Sequence, residues 1–161
     1  GTPMYITVTM AEVDALVECG VDILAVQGTS ALRPDGSTAA DFIRQIKAKY
    51  PQQLIMADIA TLEEAMACAE AGADFVGTTM RGYTPETKGI DDIDFAFITE
   101  LTQKCPAKVI AEGHIHGTGS AGSAGRGFCS GGRRCDHPPG RDHGTLYWCD
   151  PRNGAIKRGL L

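Results

Sequence analysis

Ala11–Val26 reads AEVDALVECGVDILAV and Leu62–Gly77 reads LEEAMACAEAGADFVG, and the likeness of the two decides the fold. Each runs from an acidic helical stretch through a glycine stop to an Ala or Val with Asp that opens a short apolar run. In the first copy Val13, Leu16 and Val17 recur at helical spacing and Gly20 ends the helix. Val21–Val26 is then a β-branched apolar run, the mark of a strand buried on both faces. Working outward, Ala39–Tyr50 is an amphipathic helix with Phe42, Ile43 and Ile46 inward and Pro51 beyond its end. Leu54–Ile59 is a second strand. Thr61 offers an N-cap to the next helix, which carries Glu63 and Glu64 in its first turn and closes at Gly72. Ala73–Thr78 is a third strand, Ile93–Lys104 a helix and Lys108–Ala111 a fourth strand. Strand starts spaced by about 20 to 35 residues define the βα unit of a parallel sheet. The repetition favours a (β/α)8 barrel over an open doubly wound sheet, although four strands make only half a barrel.

The character of the chain breaks after His116. Residues 117–161 contain no valine, eleven glycines and three of the six cysteines. Residues 1–116 carry 8 basic and 17 acidic side chains, against 7 basic and 3 acidic in 117–161. We therefore expect two parts, a partial barrel over 1–116 and an irregular, disordered tail over 117–161. The acidic body argues against a nucleic-acid or membrane surface as partner. No apolar run approaches the roughly 20 residues of a membrane span, and no leader pattern precedes a cleavage site, so a cytoplasmic protein is expected. The opening Gly1-Thr2-Pro3, without an initiator methionine, suggests a missing beginning. Cys19, Cys68 and Cys105 fall on helices and read as small buried hydrophobes.

Polar residues gather at strand C-termini: Gln27 and Thr29, Asp58, Thr78 and Thr79, and Glu112. In a barrel these converge on the mouth where chemistry is done. Asp58 and Glu112, on separate strand ends, could share a site as acid/base or orienting groups. The competing reading has Asp58 capping a turn and Glu112 paired with a nearby Lys or Arg. A glutamate that closes an apolar strand just before Gly113 is nevertheless costly to bury unpaired. The passage Gly77–Thr84, with Thr79, Gly82 and Tyr83, could line a polar substrate such as a sugar, or be an ordinary loop. Arg33 in the Arg33-Pro34-Asp35-Gly36 turn could face an anion, but is expected to be solvated. His114, His116, Cys129, Cys135, His137, His143 and Cys149 lack the spacing of a zinc site, so no metal is expected.

Five strings in order, YITVTMAEVDALVECGVDILAV, RPDG, MADIATLEEA, GADFVGTTMRGYT and VIAEGHI, resemble the N-acetylmannosamine-6-phosphate 2-epimerase family, from about Pro3 to His116. The resemblance implies a (β/α)8 barrel, strands four to seven of which lie here. It implies interconversion of N-acetylmannosamine 6-phosphate and N-acetylglucosamine 6-phosphate in amino-sugar and sialic acid catabolism, by deprotonation and reprotonation at C2. No metal or nicotinamide cofactor is implied. The partner would be the phosphorylated N-acetylhexosamine, and a homo-oligomer of the intact enzyme is compatible. The family's acid/base pair is a glutamate, falling on Glu112, and a lysine from a strand upstream of residue 1. The aspartate of the MAD motif falls on Asp58 and would orient the substrate or the lysine. Gln27 replaces the aspartate more usual in the family, and Val8 a proline. Lacking the lysine, the chain alone is expected to be inactive. The alternatives are another phosphate-binding barrel, such as a ribulose-phosphate epimerase, which needs His and Asp metal ligands at strand ends, or a noncatalytic Cys/His tail module.

The family continues past this point with a strand of the type AVVVGGAIT and then Arg-Pro. Shifting the reading frame of Phe128–Pro139 by one base permits Phe-Ala-Val-Val-Val-Gly-Gly-Ala-Ile-Thr-Arg-Pro. A one-base frameshift near codon 117 is therefore expected, with a genuine glycine-rich tail as the alternative. Gly113 would then remain from the first of the two phosphate-binding loops of such a barrel, with the Gly-Gly of the second lost.

Overall fold

The structure, a computed structural model, describes residues 6–91, 94–112, 145–149 and 156–160. Helix α1 (Met10–Glu18) leads into strand β1 (Ile23–Gln27). Three crossovers follow: α2 (Ala39–Lys49) to β2 (Leu54–Asp58), α3 (Leu62–Glu70) to β3 (Phe75–Gly77), and α4 (Phe95–Lys104) to β4 (Lys108–Ile110). The four strands form one parallel sheet in chain order, β1-β2-β3-β4. Sequential order with a helix between each pair is barrel topology; a doubly wound sheet reverses direction at a switch point. Each of these eight elements stands where the sequence pattern puts it, to within two residues at the ends.

Local chemistry starts the helices. Thr9, Thr38 and Thr61 each accept the backbone N–H three residues on, while Glu12, Asp41 and Glu64 reach back to the cap N–H. These reciprocal caps satisfy backbone donors that the helix ends leave open. Asp94 caps α4 by accepting from Phe97 N. Only the Thr61 cap was expected.

The sheet has two different faces. Leu24, Val26, Ile55, Ala57, Val76 and Val109 face the helices and pack against Val13, Phe42, Ile43, Ile46, Cys68 and Leu101. The alternate residues Met56, Phe75 and Ile110, with Ile23 and Ala25, cluster separately on the opposite face. A sheet apolar on both faces is what a barrel wall requires. The strand period of two then puts Gln27, Asp58, Gly77 and Glu112 on the second face at its C-terminal end. At the opposite end, Asp74 Oδ2 accepts from both Lys47 Nζ at 2.8 Å and Ile55 N at 2.9 Å, and Lys47 also donates to Gln53 O. That clamp ties α2 to the starts of β2 and β3.

Two expectations change. Cys19 is exposed, at the C-cap of α1; Cys68 is buried and Cys105 half-buried. The tail is not irregular throughout, because β5 (Thr145–Cys149) and β6 (Ile156–Leu160) pair antiparallel. Leu146-Tyr147-Trp148 is a strand composition. The remainder of 117–161 lies outside the described residues. So does the histidine and cysteine set, except Cys149 within β5.

Candidate active site

The site is built at the C-terminal ends of β2, β3 and β4. Gln27, Asp58 and Gly77 are aligned across three adjacent strands, and Gly77 pairs with Ile110, two residues before Glu112. Gly77 is therefore the neighbour between the two carboxylates. A Cβ there would stand 2.7 Å from Asp58 Oδ1, so the missing side chain is what makes room for the carboxylate.

Thr79 occupies the space that Gly77 opens. Its Oγ1 lies 2.8 Å from Asp58 Oδ1 and 2.9 Å from Glu112 Oε2, joining the two acids through one oxygen. Thr78 holds Glu112 from behind: its hydroxyl donates to Glu112 O at 2.8 Å and accepts Glu112 N at 2.9 Å. Glu112 is thus fixed by two hydroxyls, and among the described residues it forms no ion pair with a Lys or Arg. The signal the sequence carries for this hold is the Thr78-Thr79 pair closing an apolar strand.

Asp58 is 3 % exposed. Burial pushes its carboxyl up to about 7, Thr79 pulls the other way, and the nearby Glu112 adds to the rise. Burial likewise raises Glu112, again opposed by Thr79. A carboxyl that titrates near neutrality beside a second one is the arrangement acid/base chemistry needs.

Side-chain contacts hold the surrounding loops. Glu64 on α3 accepts Ser30 N at 2.6 Å, Ala60 N at 2.8 Å and Thr61 N at 3.1 Å, tying the β1 and β2 exit loops together. Arg81 donates to Asp94 Oδ2 and to Ala60 O and stacks on Phe97, fixing the β3 exit. Gly82, at φ +91°, donates its N–H to Thr87 Oγ1 at 2.8 Å, whereas the Tyr83 side chain is exposed. Gly113 lies outside the described residues. Gln27 is fully buried and donates to Thr29 Oγ1 at 3.0 Å, placing those two beside Asp58.

Arg33 overturns an expectation. It is buried, not solvated, with its guanidinium 4.0 Å from the Phe42 ring centre and Nη2 donating to Gln27 O at 3.1 Å. The Phe42 face on α2 supplies the flat apolar surface that a guanidinium prefers. Nε and Nη1 have no hydrogen-bond partner among the described residues, and burial lowers the group from its ordinary value.

The family model described as "Putative N-acetylmannosamine-6-phosphate epimerase" matches residues 1–127. The chain belongs to the N-acetylmannosamine-6-phosphate 2-epimerase family. That family is one of carbohydrate-phosphate epimerases, which are isomerases. A relative from Caldanaerobacter subterraneus, named "Putative N-acetylmannosamine-6-phosphate 2-epimerase", is 43% identical over 115 residues, 71% of this chain and 48% of the relative. A relative of the same name from Staphylococcus carnosus is 44% identical over 117 residues, 71% of this chain and 52% of the relative. The solved structure of the N-acetylmannosamine-6-phosphate 2-epimerase from Clostridium perfringens superposes with a TM-score of 0.63 at 41% identity, over 70% of this chain and 48% of that one. The chain spans about half the length of the curated relatives it matches. Membership of this family does not favour the ribulose-phosphate epimerase and zinc-module alternatives. Among the described residues, no helix is long and apolar enough to cross a membrane.

Proposed function

We propose that this chain contributes to an enzyme that interconverts N-acetylmannosamine 6-phosphate and N-acetylglucosamine 6-phosphate in the cytoplasm. The observation that supports this most is the Asp58–Thr79–Glu112 constellation at the strand ends, in a chain of this family. Removing the C2 proton creates negative charge on the neighbouring carbonyl oxygen, and returning a proton to the opposite face completes the inversion. Both steps need acid/base groups held rigidly at the strand ends. Glu112, pinned at its backbone by Thr78 and at its carboxylate by Thr79, is proposed as one of them. Asp58 is proposed to orient the substrate or the second acid/base group, which in this family is a lysine. Among the described residues no lysine bonds to Asp58 or Glu112. The exit loop with Gly82 and Tyr83 is proposed to lie along the sugar, with Gly113 toward the phosphate. The reaction as proposed uses no cofactor, and a homo-oligomer is compatible with it.

The test is conversion of N-acetylmannosamine 6-phosphate by protein expressed from the whole gene. We expect N-acetylglucosamine 6-phosphate to form, with Glu112→Gln losing on the order of a thousandfold or more in kcat, as expected for a general acid/base group. A folded protein that forms no product, or a fully active Glu112→Gln, would contradict the proposal.

A further inference from the structure

Thr79 Oγ1 lies within hydrogen-bond distance of one oxygen of Asp58 and one of Glu112, at 2.8 and 2.9 Å. A hydroxyl has one proton to donate. If both carboxyls were ionised, Thr79 could satisfy only one of them, and the second contact would set two oxygens with lone pairs facing each other. If one carboxyl keeps its proton, both contacts become hydrogen bonds: the acid donates to Oγ1, and Oγ1 donates to the carboxylate. We propose that Thr79 is a positioning residue that stores a single proton between Asp58 and Glu112, with Asp58 as the neutral acid and Glu112 as the carboxylate.

The assignment of the proton to Asp58 follows from its surroundings. Asp58 is more deeply buried than Glu112, and burial disfavours a charge. Its strand neighbours are Gln27 on β1 and Gly77 on β3, neither of them ionisable. Among the described residues, the ionisable group facing it beyond β3 is Glu112. Of the arginines in the adjoining described loops, Arg33 donates through Nη2 to Gln27 O, and Arg81 donates to Asp94 and Ala60 O. Burial and the Glu112 charge together push Asp58 up to about 7, in line with an acid that holds its proton until neutrality.

The consequence for the proposed chemistry is specific. Without Thr79 the two acids would compete for a proton through space, and Glu112 would spend part of its time protonated and unable to act as a base. With it, the proton is directed to Asp58 and the basic oxygen of Glu112 is held in place. Thr79 thus serves the acids rather than the sugar. The functional meaning rests on the epimerase reading, but the proton count does not, since it needs no substrate.

Carboxyl-carbon NMR titration of the full chain, with infrared detection of the neutral carboxyl, tests the inference. In the wild-type chain the pair should titrate in two coupled steps more than about one pK unit apart. Between them one neutral acid, that of Asp58, should coexist with one carboxylate. Thr79→Ser, which keeps the hydroxyl, should preserve the separation. Thr79→Val, or Thr79→Ala if the valine does not fold, should draw the two steps together. Two carboxylates at every pH between the ordinary range and neutrality, or an unchanged separation without the hydroxyl, would overturn the inference. Absence of epimerase activity with the two steps intact would count against the proposed function and leave the proton storage standing.

Discussion

At the scale of single residues, the site depends on what is missing as much as on what is present. Gly77 leaves the gap that Asp58 and Thr79 fill, since a Cβ would approach Asp58 Oδ1 to 2.7 Å. Gly77→Ala should therefore cost about 1–3 kcal/mol of stability, the range for forcing extra volume into a packed site, and displace Asp58; denaturant unfolding and the Asp58 titration check both. Asp58 itself is held at a cost that depends on pH. Its carboxyl moves from 3.8 to about 7, so between these values the folded state binds more protons than the unfolded one, and stability falls as pH rises. Glu112 is raised as well and adds in the same direction. The uncharged Asp58→Asn should match the wild type near pH 4 and exceed it at pH 8 by a few kcal/mol, on the order of the free energy that such a shift represents. Urea unfolding at the two pH values checks this, and parallel curves would contradict it. Asp58 and Glu112 were legible in the sequence because a carboxylate closing an apolar strand is expensive without a purpose. Their meeting through Thr79 was not, because side-chain convergence depends on register, and pattern alone does not fix register.

At the scale of elements, the exit loops are tied by side chains that begin helices. Glu64 does two jobs at once: it closes the α3 capping box and accepts Ser30 N from the loop after β1. Its place in the first turn, as a favourable charge, is legible in the sequence; the loop that comes to it from 34 residues away is not. Glu64→Ala would leave three backbone N–H groups without their carboxylate, a loss of about 3 kcal/mol. The loop carrying Thr29, Ser30 and Arg33 should loosen first, measurable as faster amide hydrogen exchange there than in β2 and β3. Equal exchange in loop and sheet would show that Glu64 acts on the helix alone. Arg33 was misread for a related reason: a turn sequence such as Arg-Pro-Asp-Gly predicts exposure, but the Phe42 ring and the Gln27 carbonyl draw the guanidinium inward. Helix and strand positions, by contrast, follow from periodicity and caps that operate within a few residues, and these were readable throughout.

At the scale of the whole molecule, four βα units form one wall with an apolar face toward the helices and a second apolar face toward the axis of a barrel. The barrel topology was legible from the repeated Ala11–Val26 and Leu62–Gly77 phrases, since each repeat is one βα unit. The end of the chain was not, because residues 117–161 lack the pattern on which such reading depends. We propose that this segment is translated out of frame. Sequencing the gene through codon 117 should show a one-base slip whose repair yields the Ala-Val-Val-Val-Gly-Gly-Ala-Ile-Thr-Arg-Pro strand and helix start. An uninterrupted frame encoding the present tail would contradict it.

Glu112 is proposed to exchange a proton with C2 of a sugar phosphate at this barrel mouth. The most direct measurement is proton NMR of N-acetylmannosamine 6-phosphate in deuterated buffer with protein from the whole gene, frame restored where needed. The C2 proton signal should disappear as deuterium enters, at a rate that Glu112→Gln reduces to background in a protein that remains folded. Retention of the C2 proton by the folded wild type, or exchange that continues unchanged in Glu112→Gln, would contradict it.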